Sequence, residues 1–400
     1  MIPAKQPVPV LETTETPPTA DPGTKNFKPK IFFPNLDGLR FFSFLVVFFS
    51  HIFGTQYDYI KNAPWYKFFK GRVFSDGDLG VSFFFVLSGF LITYLLLKEK
   101  EFTGKIDVKS FYVRRALRIW PLYYFSVFFG FIIFPFLKSH LGGTPEETAD
   151  PVLCSLFLNN FNRILHGPPD SSVLSVLWSV AIEEQFYLVW PILFFLTPVK
   201  YYHYLFLLVI TISLAYRITH ISDPLIEIHS LGVISDMAIG GLGAYLTIHS
   251  KKFLQLIENS HPALNLVPYI AAIVFLLFKY ELFAVPAVIA VKRIIIAFFF
   301  IWIILDQNFC KRSYFKISRL KIISKLGKYT YGLYCLHTIA ILITIIVLGK
   351  LGLDRNSWQL WLIELPMAMG LSILISYVSF TYFESKFLKL KDRFAYITKS

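Results

Sequence analysis

The chain has little cysteine and little charge for its length. Its 400 residues include three cysteines, Cys154, Cys310 and Cys335, which are far apart and lack the CxxC or Cys/His spacing of a metal site. This pattern excludes a disulfide framework, and we expect no bound metal. Charged residues make up 16% of the chain and hydrophobic residues 55%, with a mean hydropathy of +0.56. Such a composition excludes a protein that faces water on all sides and indicates a polytopic membrane protein.

The formal net charge of +13 raises the question of a nucleic-acid partner. Lys and Arg, however, cluster in short segments between apolar runs, as they do in membrane proteins, and they form no single basic face. We therefore expect a lipid bilayer as a partner and no nucleic acid.

Apolar runs recur along the chain and predict an all-α protein with about ten transmembrane helices. Each run is long enough, or nearly so, to cross ~30 Å of hydrocarbon as a helix. The run at 284–305 is the weakest because Lys292 and Arg293 interrupt it. The ten runs lie near 36–54, 79–97, 118–137, 180–197, 202–217, 232–249, 263–280, 284–305, 328–350 and 359–381.

Three regions follow from this division. Residues 1–30 are rich in Pro and Thr and predict a disordered tail, 31–385 form the membrane domain, and 386–400 form a basic tail. If the N-terminus is inside, the inner segments carry about twice as many Lys and Arg residues as the outer ones. We therefore expect both termini in the cytoplasm and a multi-pass location in the cell (inner) membrane.

The first apolar run carries two ionisable groups, Arg40 near one end and His51 near the other. Eleven helical steps of ~100° complete three turns plus about 20° and rise roughly 16 Å, so both side chains lie on one face. Ionisable groups inside a span are candidates for function. The alternative is that Arg40 snorkels to the membrane surface and His51 is a solvated interfacial group.

The most basic short stretch is KSFYVRRALRIWPLYY at 109–124. A helix would bring Arg114, Arg115 and Arg118 to one edge as a cluster of guanidinium groups suited to a multiply charged phosphate ligand. The alternative is an anchor on lipid head groups. The interpretation as a phosphate site is stronger if Arg40 faces the same site as this cluster.

Paired carboxylates, Glu183 and Glu184, lie inside the fourth run, where an unpaired charge is costly. We expect one of them to bond to His51, because a carboxylate would orient the imidazole and raise its basicity for general base catalysis. Adjacent helical positions differ by ~100°, so only one glutamate can face His51, and the sequence does not choose between them. His337 in a later run could line the site or make a helix-packing hydrogen bond.

Six stretches, in the same order along the chain, resemble the acyltransferase 3 family of integral membrane enzymes that O-acetylate bacterial surface glycans. One departure is Ser82, which stands where the family commonly has an acidic residue. The stretches are LDGLRFFSFLVVFFSH (36–51), GVSFFFVLSGFLIT (80–93), FYVRRALRIWPLYY (111–124), LWSVAIEEQFYLVWP (177–191), SDMAIGGLGAYL (235–246) and GKYTYGLYCLHT (327–338).

The resemblance implies a ten-helix core that moves an acyl group, usually acetyl, from cytoplasmic acyl-CoA to a sugar hydroxyl on the outer side. By motif match, His51 would be the catalytic histidine, Arg40 its essential partner, and Arg115 and Arg118 an RxxR pair. The acceptor would be a glycan or glycolipid.

Our hypothesis is that the phosphates of acyl-CoA dock on the arginines. His51 then removes a proton from the acceptor hydroxyl or carries the acyl group itself. The sequence leaves both routes open. The alternative function is a transporter or flippase for a glycan precursor that uses the intramembrane Arg, His and Glu residues as a relay.

Overall fold

The computed structural model describes residues 31, 33–75, 77–282 and 285–394. Within these ranges most of the chain is helical and no strand is present, which confirms the all-α prediction. The tail predicted at 1–30 lies outside the described residues, as do the last six positions of the basic tail. The earlier part of that basic tail belongs to the helix Ser385–Lys391.

Ten long helices make up most of the described chain. They are α1 (Leu36–His51), α2 (Asp78–Thr103), α3 (Val108–Phe128), α4 (Trp178–Leu196), α5 (Tyr202–Thr219), α6 (Ser230–His249), α7 (Pro262–Leu282), α8 (Pro286–Phe309), α9 (Thr330–Leu351) and α10 (Leu365–Ser379). A π-helical turn, Phe129–Ile133, continues α3 to His140, and a second, Phe380–Glu384, continues α10 into the last helix.

Among the described residues, nine of these helices, α2 to α10, are long and apolar enough to cross a membrane when the helical turns that adjoin them are counted. The remaining helix, α1, has 16 residues and therefore covers about 24 Å. The chain is thus a multi-pass membrane protein. From Pro286 onward, the run predicted at 284–305 lies in one continuous helix, α8.

Local capping explains why α3 begins ten residues before the predicted run. The helix α2 ends at Gly104, whose φ of +74° is the left-handed conformation that glycine adopts without strain. After a short turn, Asp107 caps α3 by accepting a hydrogen bond from the Ser110 N–H at 3.0 Å. The basic stretch is therefore entirely helical.

Buried ion pairs neutralise the charges that interrupt α8. Arg293 donates to Asp236 of α6 at 2.5 Å and to Glu227 at 2.7 Å, and Arg217 of α5 also pairs with Glu227 at 3.0 Å. Ser82 of α2 donates to Asp236 at 2.7 Å. Since breaking one side of such a network leaves an uncompensated buried charge, these contacts hold four helices together.

The backbones of α2 and α6 approach each other closely at two glycines. A Cβ added at Gly89 would lie 2.0 Å from the Met237 carbonyl oxygen, and one at Gly240 would lie 2.0 Å from that of Val86. Both distances are far below van der Waals contact, so only glycine permits this approach. Gly89 therefore fixes the position of its neighbour Ser88 relative to the rest of the bundle.

This packing predicts a loss of stability in the variant Gly89→Ala. The added methyl group must separate two backbones, which costs about 1–3 kcal/mol, so thermal unfolding in detergent should begin several degrees lower. Gly370→Ala in α10 is the matched control, because a Cβ there meets no atom within 4 Å. Equal unfolding temperatures for the two variants would contradict the packing described here.

Candidate functional site

A cavity of about 350 Å³ opens between α1, α2, α3, α4, α9 and the last helix. We call it the basic cavity. It contains five cationic side chains and three carboxylates, so its interior favours an anion. These eight residues are Asp37, Arg40, Arg115, Arg118, Glu183, Lys328, Glu384 and Lys391.

Three arginines in this cavity differ in how many of their N–H donors have a partner. Arg40 pairs with Asp37 at 2.6 Å. Arg118 has no ion pair or hydrogen bond with another residue in the described part of the chain. Arg115 lies over the ring of Tyr187, and its buried Nε atom likewise has no partner. Unsatisfied guanidinium donors in an enclosed cationic space fit a phosphate-bearing ligand.

Arg114 does not line the basic cavity, so the expectation of a cluster of three arginines is wrong for this residue. Its Nη2 atom pairs with Glu99 of α2 at 2.7 Å, and its Nη1 atom donates to the Phe394 carbonyl oxygen at 2.9 Å. Neighbouring positions on a helix point ~100° apart, which sends Arg114 and Arg115 in different directions.

The two glutamates of α4 also point in different directions. Glu183 lines the basic cavity, where it accepts hydrogen bonds from Ser88 at 2.9 Å and from Tyr187 at 3.2 Å. Glu184 accepts from the exposed Trp120 indole at 2.9 Å, outside the cavity. Of the pair, Glu183 is therefore the one that faces the site.

The sequence suggested a glutamate as the partner of His51. In the structure, the partner is another histidine. His51 Nδ1 lies 3.0 Å from His337 Nε2 of α9. The expectation of a carboxylate partner is wrong because α9, which packs on α1, brings His337 to His51, while each glutamate is held by other side chains. The sequence signal for His337 was a lone histidine inside an apolar run, which did not indicate its partner.

The hydrogen bonds of His337 fix which nitrogens carry protons in the neutral pair. His337 Nδ1 lies 2.8 Å from the Tyr334 carbonyl oxygen and 3.1 Å from that of Leu333. A carbonyl oxygen only accepts, so His337 Nδ1 carries the proton and Nε2 accepts one from His51 Nδ1. The Nε2 atom of His51 then keeps its lone pair for a proton or an acyl carbon.

Residues 33–381 match the family model of acyltransferase 3, described as an acyltransferase domain. The chain belongs to this family. The resemblance of the six sequence stretches is thereby confirmed.

Among curated proteins, the chain is similar to the peptidoglycan O-acetyltransferase OatA of Listeria monocytogenes, with 36% identity over 183 residues. It is also similar to the O-acetyltransferase OatA of Staphylococcus aureus, with 33% identity over 178 residues. Each match covers 42% of this chain and 25% of the relative. The chain therefore spans about a quarter of the length of these relatives. No solved structure matches the chain.

In this acyltransferase 3 chain, Tyr334 separates the basic cavity from the histidine pair. Tyr334 lines the cavity, its hydroxyl lies 2.5 Å from the Ser179 hydroxyl, and its ring centroid lies 6.2 Å from that of His337. His51 itself does not line the basic cavity, so Arg40 and His51 do not share one compartment. Tyr334, which lines the cavity, and His337, which contacts His51, lie between them on α9, and we call these two residues the Tyr334 layer.

Proposed function

We propose that this chain is a membrane-bound O-acyltransferase that moves an acyl group, in the first instance acetyl, from cytoplasmic acyl-CoA to a hydroxyl of a surface glycan or glycolipid. One observation carries the proposal. A single helix places Arg40 in a cationic cavity at one end and His51, oriented by His337, at the other. The names of the relatives, which are O-acetyltransferases, support an acetyl group and a glycan acceptor.

The donor enters the basic cavity with its phosphate groups on Arg40, Arg115 and Arg118. Guanidinium groups pair with phosphate oxygens through two parallel hydrogen bonds, and the free donors of Arg115 and Arg118 are available for this. Lys328 and Lys391 add positive charge around the same space. The excess of Lys and Arg in the inner segments supports a cytoplasmic opening, which directs His51 to the outer side.

The transfer joins the acceptor oxygen to the acyl carbon and releases CoA. The proton of the acceptor hydroxyl moves to His51 Nε2, the oxygen bonds to the carbonyl carbon, and the carbon–sulfur bond breaks. The thiolate that leaves takes up a proton. In a second route the same lone pair of His51 first attacks the acyl carbon, and rapid-quench trapping of an acyl-protein would identify it.

Glu183 belongs to the donor side of this proposal. Its carboxylate holds Ser88 and Tyr187 and lies in one cavity with Arg115 and Arg118, where it limits the excess of positive charge. Glu184 and Arg114 are left out of the reaction, since neither lines the cavity. In this proposal, the acyl group passes from the basic cavity, beyond the Tyr334 layer, to His51.

Replacing either histidine tests the chemistry. We expect His51→Ala to lower the transfer of labelled acetyl from acetyl-CoA to membrane glycans by at least about 100-fold, because the base is lost. His337→Ala should lower kcat with little change in the KM for acetyl-CoA. His337→Gln should recover part of the loss, since its amide oxygen can accept from His51 Nδ1.

The exposed His220 provides the control, and His220→Ala should transfer at the wild-type rate. Full activity of folded His51→Ala would refute the proposed function. A wild-type protein that moves a glycan precursor across the membrane but labels no glycan would favour a transporter.

The arginines provide a matched pair of variants for the donor site. Arg118→Gln removes a cation that faces the cavity, so the KM for acetyl-CoA should rise about tenfold or more, as expected for a charge-assisted hydrogen bond. Arg114→Gln removes an equal charge four residues away that pairs with Glu99, and this KM should stay within twofold. An equal rise in both variants would contradict the assignment of the basic cavity to the donor.

Cysteine labelling tests the orientation. The three native cysteines are buried and free, so a cysteine introduced at an exposed position is the accessible thiol. We expect a membrane-impermeant maleimide on intact cells to label Lys61→Cys, which follows the His51 end of α1, and to label Ile322→Cys only after permeabilisation. The reverse pattern would exclude a cytoplasmic opening of the basic cavity.

A further inference from the structure

A second cavity, of about 390 Å³, lies at the end of the bundle where α1 ends at His51. We call it the carboxylate cavity. The turn after α1, the end of α9 and the segment that leads into α10 surround it. Its volume is in the usual range for small-ligand pockets. Its polar lining residues are Thr55, Gln56, Lys350, Asp354 and Glu364.

The carboxylate cavity lies beyond the histidine pair along α9, towards the C-terminal end of that helix. Positions 337, 341, 345 and 349 are four residues apart, so they lie along one side of the helix. The first of them is His337, and Ile345 and Gly349 line the cavity, about 12 and 18 Å further along the helix axis. On the α1 side, the lining begins with Gly54, only three residues after His51.

A strained turn connects this cavity to His51. Phe53 has a φ of +65°, which a bulky residue rarely adopts, and it is fully buried. Side chains hold both of its backbone groups. The Phe53 N–H donates to Glu364 at 3.3 Å, and the Tyr66 hydroxyl donates to the Phe53 carbonyl oxygen at 3.0 Å. Glu364 therefore belongs both to the cavity wall and to the turn that ends α1.

Several polar groups of the cavity have hydrogen-bonding capacity left over. Glu364 is only 2% exposed, and its second carboxylate oxygen has no hydrogen-bond partner in the described ranges. The Gln56 amide and the Lys350 ammonium group also make no hydrogen bond or ion pair there. A carboxylate oxygen of a buried residue that lacks a donor is costly unless a ligand supplies one. Hydroxyl groups supply such donors, and a sugar ring carries several.

We propose that the carboxylate cavity is the acceptor subsite, which binds one sugar unit of the glycan. Hydroxyls of that unit donate to Glu364 and Asp354, and the amide of Gln56 bonds a further oxygen. The adjoining unit then presents its hydroxyl to His51 Nε2. This inference rests on the proposed function, because it names the substrate class that the second side of the enzyme binds.

The test measures the binding of the acceptor and that of the donor separately, in the full-length protein. Purified protein in lipid nanodiscs receives labelled acetyl-CoA and graded amounts of muramidase-released peptidoglycan fragments as the acceptor probe. Glu364→Gln and Asp354→Asn should each raise the KM for the fragments about tenfold or more. The KM for acetyl-CoA, and the thermal stabilisation that it confers, should stay within twofold of the wild type.

Two variants distinguish an effect on acceptor binding from a purely structural effect. Asp354→Asn leaves the Phe53 turn intact, so it remains informative if Glu364→Gln does not fold. Asp58→Asn is the matched control, because this exposed carboxylate of the same end of the bundle pairs with Lys61 at 3.0 Å and lies outside the cavity.

Three results would overturn the inference. The first is an unchanged KM for the fragments in Asp354→Asn, and the second is a parallel rise in the KM for acetyl-CoA. The third is a wild-type protein that is stabilised by acetyl-CoA but transfers nothing to the fragments, which would leave the donor assignment standing. A wild-type protein that neither responds to acetyl-CoA nor transfers acetyl would instead remove the proposed function, and this inference with it.

Discussion

Hydrocarbon gives no partner to a polar group, and this constraint determines where the polar side chains of the bundle lie. Arg293, Glu227 and Asp236 pair with one another in a buried network that joins α8 to α6. Arg118, in contrast, faces the basic cavity and makes no hydrogen bond or ion pair with any other described residue. The difference between a paired charge and an unpaired one separates the structural side chains from those proposed to bind a ligand.

The same constraint gives the histidine pair its chemistry. Carbonyl oxygens of α9 occupy His337 Nδ1, which leaves Nε2 to orient His51. A neutral imidazole can orient another through a hydrogen bond without placing a full negative charge at this depth in the membrane. The pair thus performs the orienting task that a carboxylate performs elsewhere, at a smaller desolvation cost.

Two cavities on opposite sides of the Tyr334 layer divide the substrates by their chemistry. The basic cavity presents unsatisfied cations and suits the phosphates of the proposed donor. The carboxylate cavity presents Glu364 and Asp354 and suits the hydroxyls of the proposed acceptor. The helix α9 lines both cavities, and α1 lines the basic cavity and ends three residues before the first lining residue of the other, Gly54. In the proposed reaction, the packing of these two helices therefore determines how the two substrates meet at His51.

Local sequence was sufficient for much of this description. Composition and the spacing of apolar runs predicted an all-α membrane protein, and the ordered motifs predicted the family. The helical repeat also indicated that only one of Glu183 and Glu184 could face a site, because that repeat is a property of each helix by itself. The early start of α3 was missed, since its first turns are polar and depend on the cap at Asp107.

Contacts between helices were decided only by the tertiary structure. The identity of the partner of His51, the choice of Glu183 over Glu184, and the separation of Arg114 from Arg115 and Arg118 all depend on which helices pack together. A sequence fixes the direction of a side chain about its own helix axis. It does not fix the neighbour that the side chain meets, because this follows from close approaches such as that of Gly89 and Met237, many residues apart.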